Sequence, residues 1–330
     1  MRRNQDKSAL QGAEMRVLRT AQPCADVTFP FSGFLVYFGL SSLFQPTNYE
    51  FSNMSAALPL TVYTPVDNEY ALILGASSGF GAASARAMAA AGMNILGVHL
   101  DRAATLPLAE QLKKDIEAMG RRVILWNVNA ADAAVRASVI NDIKNEFAAQ
   151  KGTSTVRVLM HSLAFGTLKK FISEEDGEML NQKQMEMTLD VMAHSLVYWA
   201  QDVFRAKLMV PGGRIYAMTS QGGQKVLPFY GAVSAAKASL ESHARQIALE
   251  SGKFGITANA IRAGVTDTPA LRKIPGNDVL INNALRKNPF DRLTTPEDVA
   301  RIIVLLNKPE MYWMNGNVLG VDGGEGAVDY

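Results

Sequence analysis

From about residue 70 onward, short runs of β-branched and aliphatic residues alternate with alanine-rich runs of helical character. Strands are expected at 71–74, 94–100, 123–128, 156–160, 213–219, 256–261 and 316–321. Helices are expected at 82–91, 107–119, 133–150, 183–207 and 230–251. Another starts at Thr295-Pro296-Glu297-Asp298, where Thr is the cap, Pro takes the first helical position and acids fill the first turn. Gly92 and Gly120 stop the first two helices. In the third, Val135, Val139, Ile143 and Phe147 recur at helical spacing. Six or seven strands, nearly each followed by a helix, imply a parallel sheet wrapped on both faces. The expected fold class is therefore α/β, a single doubly wound domain over residues 70–330 with no interior linker and no repeat.

Residues 1–69 do not share this pattern. Arg2, Arg3, Lys7, Arg16 and Arg19 precede an apolar stretch from Phe29 to Phe44. That stretch has only 16 residues and contains Pro30, Gly33, Gly39, Ser41 and Ser42, whereas a bilayer span needs about 20 mostly apolar residues. Asp6, Glu14 and Asp26 dilute any transit-peptide character. The favoured expectation is that Met54 is the working start and that the upstream residues are a mis-assigned or poorly ordered extension. An organelle presequence and a true anchor or partner segment are the two other readings.

Composition narrows the function classes. Lys+Arg 33 against Asp+Glu 31 gives a net charge of +2, which offers no field to hold nucleic acid. The lone Cys24 excludes an internal disulfide framework or a multi-cysteine metal site. The four histidines contain no HExxH pair, so no metal is expected. A soluble cytoplasmic protein acting on a small molecule is the expectation, with no nucleic acid or membrane partner.

Gly75-Ala76-Ser77-Ser78-Gly79-Phe80-Gly81 lies between the first strand and the first helix. In that position glycines let the backbone turn sharply and approach a pyrophosphate, and the helix directs its first N–H groups at the phosphates. Ser77 and Ser78 add hydroxyl donors. This is the context of a Rossmann dinucleotide site, although the spacing is GxxxGxG rather than GxGxxG. Asp101, twenty residues past Gly81, stands where a carboxylate can accept the ribose hydroxyls of NAD. Arg102 beside it can bind the 2′-phosphate of NADP. NAD(H) or NADP(H) is thus the expected cofactor, with NADH slightly favoured.

The loop combines with Ser220, Tyr230, Lys237 and the ending Val321-Asp322-Gly323-Gly324. Over residues 70–326 this set resembles the short-chain dehydrogenase/reductase family. The usual member has Tyr-xxx-Lys, but here Ser234 stands four residues after Tyr230 and Lys237 seven after it. Tyr-x6-Lys is similar to the divergent branch, the enoyl-acyl-carrier-protein reductases. Seven residues are two helical turns, so both side chains share a face. A protonated lysine there is expected to lower the phenol's pKa and to hold the nicotinamide ribose. The phenol can donate to a thioester oxygen as charge builds on it.

The resemblance implies further site residues. Ser162, Leu163 and Ala164, after His161, stand at the end of the fourth strand. Asn127 and Val128 stand where the adenine is met, with Asn127 in place of the usual Asp. Gly264, Thr266 and Thr268 belong to the loop that holds the carboxamide and opens the lid, 268–288. Met192 replaces the helical Asn of ordinary members, which counts against simple ketone chemistry. Ser220 takes the position of a second tyrosine in many enoyl reductases, and this resembles a third type known from Bacillus-like bacteria. His161 and His194 are expected to be structural.

The activity implied is NAD(P)H-dependent reduction of a trans-2-enoyl thioester on acyl carrier protein or coenzyme A, by a homotetramer. A carbonyl reductase of the same family, acting on a 3-oxoacyl thioester or another ketone, is the alternative. A non-catalytic NAD(P)-binding sensor or scaffold is the second.

Overall fold

The computed structural model describes residues 67–329. The expectations for residues 1–66 lie outside the described residues. Seven strands form one parallel sheet: β1 (Glu69–Leu74), β2 (Asn94–His99), β3 (Val123–Asn127), β4 (Thr155–His161), β5 (Arg214–Ser220), β6 (Thr257–Ala263) and β7 (Val318–Val321). Their order is β3-β2-β1-β4-β5-β6-β7. The chain winds outward from β1 in one direction, returns to β4 and winds outward in the other. The switch between β1 and β4 opens the crevice where a doubly wound sheet binds ligands.

The β1 sequence explains why both sheet faces are covered. Successive strand residues point to opposite faces, and residues 70–74 are all apolar and fully buried. Tyr70, Leu72 and Leu74 enter one core, with α3 (Ala133–Ala148), α5 (Ser195–Arg205) and α6 (Gly231–Ser251). Ala71 and Ile73 enter the other, with α1 (Gly79–Ala90), α2 (Leu106–Ala118) and α8 (Pro296–Leu306). A continuous apolar run is what a parallel strand needs when helices cover both sides. Trp199 on α5, fully buried, still satisfies its indole N–H, which donates to the Ala130 carbonyl at 2.8 Å.

The expected helix over 183–207 is broken. It comprises α4 (Gln182–Leu189), a π turn over Asp190–His194, and α5. The Ser195 hydroxyl donates to the Val191 carbonyl at 2.8 Å within this wider turn, which places the buried Met192 at the break. A 3-10 turn (Leu271–Lys273) and α7 (Asn277–Lys287) form the segment expected to be a lid. No helix among the described residues is long and apolar enough to cross a membrane.

Candidate active site

The phosphate loop is shaped by two close approaches. Gly75 has φ +86°, and a Cβ there would stand 2.5 Å from the Ser162 carbonyl oxygen. A Cβ on Gly81 would fall onto the Gly75 carbonyl oxygen itself. Both obstacles are backbone and cannot swing aside, so these positions require glycine. Gly75 N donates to the Val98 carbonyl at 2.8 Å, and Ser162 N to the Leu74 carbonyl at 2.8 Å, so the loop is tied to β2 and β4.

α1 starts without a side-chain cap. Ser78 is its N-cap residue but makes no capping bond. By contrast, Asp132, Asn181 and Thr295 cap α3, α4 and α8 with their own oxygens. The first turn of α1 also has no acid. Its early N–H groups are therefore left for an anion, with the positive end of the helix dipole behind them.

Asp101 lies just past β2. Its carboxylate meets the His99 ring, Nδ1 to Oδ2 at 2.7 Å. Burial works to raise its pKa, but hydrogen bonds from the Thr105 and Ser77 hydroxyls and from His99 outweigh this and hold it below its ordinary value. It is an anion at neutral pH, placed between the phosphate loop and β2. Arg102 is exposed beside it. Asn127 spends both ends of its amide on Asp101: Oδ1 accepts from Asp101 N at 2.8 Å, and Nδ2 donates to Asp101 O at 3.0 Å. Its placement thus fixes the backbone of Asp101. Val128 N donates to the His99 carbonyl at 2.7 Å.

The second half of the site hangs from β5 and α6. Tyr230 is the N-cap residue of α6. It follows Phe229, whose φ of +62° is rarely adopted by a large side chain. Such strain is usually held only where the surroundings impose it, often at functional sites. Ser220 ends β5, and its buried hydroxyl has no hydrogen-bond partner. It lies close enough to the Tyr230 hydroxyl to oppose the rise in that group's pKa, but without a well-directed bond. Lys237 lies on α6, 6% exposed, and donates from Nζ to the Met218 carbonyl at 2.6 Å. The structure therefore brings Ser220, Tyr230 and Lys237 together at one strand end.

One electrostatic expectation is corrected. Burial raises the Tyr230 phenol above its ordinary value, and Lys237 does not act to lower it. The lysine is turned to Met218, and burial lowers its own pKa from 10.5 to about 8 against the pull of Glu241. The phenol is consequently a firm proton holder and the lysine a cation that is easily discharged.

Several residues that the sequence did not single out complete the arrangement. Glu241, one turn after Lys237 and buried, accepts from the Thr219 hydroxyl at 2.8 Å. A Cβ on Gly222 would run into the Tyr230 ring and stand 3.3 Å from the Ser220 hydroxyl, so this glycine sets the ring's position. Pattern reading had no signal for either, because one is an ordinary helical acid and the other a loop glycine. His161 is fully buried, with Nε2 2.8 Å from the Ser195 hydroxyl. Burial and the Lys237 charge depress it from 6.5 to about 3, so it stays neutral. His194 faces His243, nitrogen to nitrogen at 3.0 Å. The ring centroids are 5.3 Å apart, so the two nitrogens point nearly straight at each other. That is the geometry of one shared proton, since a common metal ion would bend the rings together.

Across the site, Thr266 and Thr268 are buried and hold their own loop: Thr266 Oγ1 donates to the Gly264 carbonyl at 3.0 Å, and Thr268 Oγ1 accepts from Leu271 N at 3.2 Å. The Thr268 methyl lies over Gly79, so this loop sits on the phosphate loop. Leu163 is half-buried and Ala164 exposed, past the end of β4. A separate apolar hollow of about 190 Å³, lined by Val197, Phe204, Ile247 and Phe254 among others, contains none of these residues.

The chain is similar to known proteins. The family model described as enoyl-(acyl carrier protein) reductase matches residues 75–325. An NADH-dependent enoyl-[acyl-carrier-protein] reductase of Aquifex aeolicus is 29% identical over 189 residues, 57% of this chain and 68% of that protein. A probable tetrahydroxynaphthalene reductase of Zymoseptoria tritici is 25% identical over 281 residues, 81% of this chain and 98% of that one. Among solved structures, the Aquifex aeolicus reductase superposes with a TM-score of 0.68 at 22% identity, covering 79% of this chain and 98% of its own. A Burkholderia cenocepacia short-chain dehydrogenase, solved with NADP, has a TM-score of 0.65 at 25% identity, covering 78% of this chain and 98% of its own. With the family model spanning the phosphate loop, the Tyr230–Lys237 helix and the Gly264–Thr268 loop, the chain belongs to the short-chain dehydrogenase/reductase superfamily of oxidoreductases, in the family described as enoyl-(acyl carrier protein) reductase.

Proposed function

We propose that this oxidoreductase uses a nicotinamide dinucleotide to reduce the C2=C3 bond of a trans-2-enoyl thioester. The observation that carries the reduction is the pair of hydroxyls at the end of β5, and the Tyr230–Lys237 spacing with Met192 in place of an Asn favours the enoyl bond. Ser220 has a buried hydroxyl with no partner, and beside it Tyr230 has a phenol that holds its proton. Two unspent donors side by side suit an oxygen on which charge develops during reaction.

The dinucleotide, when bound, supplies a hydride from reduced nicotinamide. Gly75, Ser77, Ser78, Gly79, Phe80 and Gly81 would hold the pyrophosphate on the first turn of α1, and Asp101 would accept from the adenosine ribose. Asp101 favours NADH over NADPH, because its charge opposes a 2′-phosphate. Lys237 would hold the nicotinamide ribose, and Gly264, Thr266 and Thr268 the carboxamide. Tyr230 donates its O–H to the thioester oxygen as that oxygen gains negative charge, and Ser220 adds a second donor. The 268–288 segment would cover the acyl chain. The relatives named for NADH, and the neighbours solved with NAD or NADP, support the choice of cofactor class.

A second reading has its own support. Other similar proteins are named as versicolorin and tetrahydroxynaphthalene reductases, and they match 78–81% of the chain. Ser220 and Tyr230 would equally serve reduction of a ketone. NAD(P)H oxidation with crotonyl thioester set against acetoacetyl thioester separates the two. Turnover of the enoyl compound is expected, and turnover of the 3-oxo compound alone would overturn the first reading. A homotetramer is proposed with it, and exposed apolar surface at Tyr198, Phe204 and Leu249 on α5 and α6 supports association between copies.

A further inference from the structure

Glu325, in the 3-10 turn Glu325–Ala327 after β7, is a buried carboxyl that the mechanism above does not use. Its two oxygens reach two different loops. Oε2 accepts from Val265 N at 3.0 Å, in the loop that continues to Thr266 and Thr268. Oε1 accepts from Gln221 Nε2 at 3.4 Å, in the 3-10 turn that follows Ser220 and carries Gly222. The space is closed on the far side: a Cβ on Gly264 would stand 2.9 Å from Oε2 and 3.0 Å from the Asp322 side chain. Asp322 in turn accepts from Gly324 N at 3.0 Å and Gly326 N at 3.2 Å, which fixes the turn that presents Glu325. The same turn is tied to the end of α7, where Asn288 Nδ2 donates to the Asp322 carbonyl at 3.1 Å.

We propose that Glu325 is a positioning residue that locks the Gly264–Thr268 loop and the Ser220–Gly223 turn into one frame, so that the donors of the second are registered against whatever the first holds. A carboxylate suits this task, since it can accept from two directions at once. The charged groups facing it are Asp322, which repels it, and Lys225 and Lys287, which attract it. Burial pushes its pKa above the ordinary carboxyl value and the Val265 N–H opposes that rise, so losing its donors would leave a buried acceptor unpaired. The inference rests on the reductase reading for what the loop holds, but not for the contact itself.

The test uses the full chain and two readouts. In Glu325→Met, which keeps bulk but loses the acceptors, amide hydrogen exchange should rise together in residues 264–268 and 220–223. The Kd for NADH, read by nicotinamide fluorescence, should rise about tenfold, and kcat should fall with it. Glu325→Gln, which retains an acceptor for Val265 N–H, should restore Kd to within about threefold of wild type. If Glu325→Met folds poorly, Gln221→Ala removes the other contact from a half-buried position and should still raise exchange at 264–268, because the Gln221 side chain spends its amide on Glu325 rather than on that loop. Unchanged exchange at 264–268 in either variant, or an equal Kd for the Met and Gln variants, would overturn the proposal. Failure of wild-type protein to bind any nicotinamide dinucleotide would instead sink the reductase reading, while the exchange data would still decide the role of Glu325.

Discussion

The ammonium of Lys237 donates to the carbonyl oxygen of Met218 at 2.6 Å, two residues before Ser220 on the same strand. This anchors a buried cation at the strand end that carries the donor hydroxyls. Burial lowers its pKa to about 8, and Glu241 is the charge that keeps it from falling further. The sign follows directly. Lys237 is charged below about pH 8 and neutral above, so kcat/KM should fall as pH rises through that value. Glu241→Gln removes the supporting charge and should move this limb to lower pH by about one unit, on the scale at which a unit is about 1.4 kcal/mol of interaction. A pH profile of the free enzyme with both proteins checks it, and superimposable limbs would refute the role of Glu241.

Gly222→Ala should damage catalysis while leaving the fold intact. The added methyl meets the Tyr230 ring, which sits at the helix start and must swing or slide to make room. A misplacement of about 1 Å at a reacting group can cost about 100-fold in rate. The expected result is kcat down by about 10- to 100-fold, with the Kd for dinucleotide and the melting temperature close to wild type. A variant with full kcat would show that the ring position is not set by this glycine.

The contrast between Gly222 and the phosphate loop explains what was legible in the chain. Gly75, Gly79 and Gly81 were readable because they fall between an apolar run and an alanine-rich run, where order along the chain already implies a crevice. The Tyr230–Lys237 pair was readable because the spacing of a tyrosine and a lysine at the start of one helical run is visible in the chain itself. The π turn at Asp190–His194 was not, since it comes from a single extra residue in a helical pattern with no proline or glycine to mark it. Nor was the direction of the Tyr230 pKa, because it depends on burial and on where the Lys237 ammonium turns. Glu325 and Gln221 are 104 residues apart, and their contact exists only once β5 and β7 stand on either side of β6.

Asp298 provides a test of stability independent of the chemistry. It completes the capping box of α8 with Thr295, N to Oγ1 at 3.2 Å, and takes a two-pronged contact from Arg292 at 2.6 and 3.1 Å. The Arg292 guanidinium, then the Thr295 backbone and hydroxyl, hold its carboxyl well below the usual carboxylate range. A lowered acid adds stability above its unfolded value near 3.8, and that gain is lost as pH falls below it. The pair is partly exposed, so solvent screens part of the Arg292 contribution. Asp298→Ala should therefore cost about 1 kcal/mol at pH 7, and urea titration should show the gap to wild type shrinking by pH 3. A gap that stays constant with pH would mean that the charge contributes nothing.

The choice of dinucleotide should turn on Asp101. Its carboxylate is held by His99 Nδ1 at 2.7 Å, and the nearby hydroxyls of Ser77 and Thr105 favour its charged form. Asn127 clamps its backbone from both sides. In the proposed pose its charge would oppose a 2′-phosphate, and its oxygens would accept from the hydroxyls of NADH. Hydrogen bonds to charged groups are worth about 1.5–3 kcal/mol, or about 10- to 100-fold in affinity. Asp101→Ala should raise the KM for NADH by about that factor. It should lower the KM for NADPH, because Arg102, exposed alongside, is then left as the dominant charge. Asp101→Asn separates the two effects, since it keeps the acceptor oxygen and removes the charge: tolerance of NADPH should improve while NADH is retained in part. The ratio of kcat/KM for the two dinucleotides measures this across the three proteins, and a constant ratio would show that Asp101 does not face the ribose.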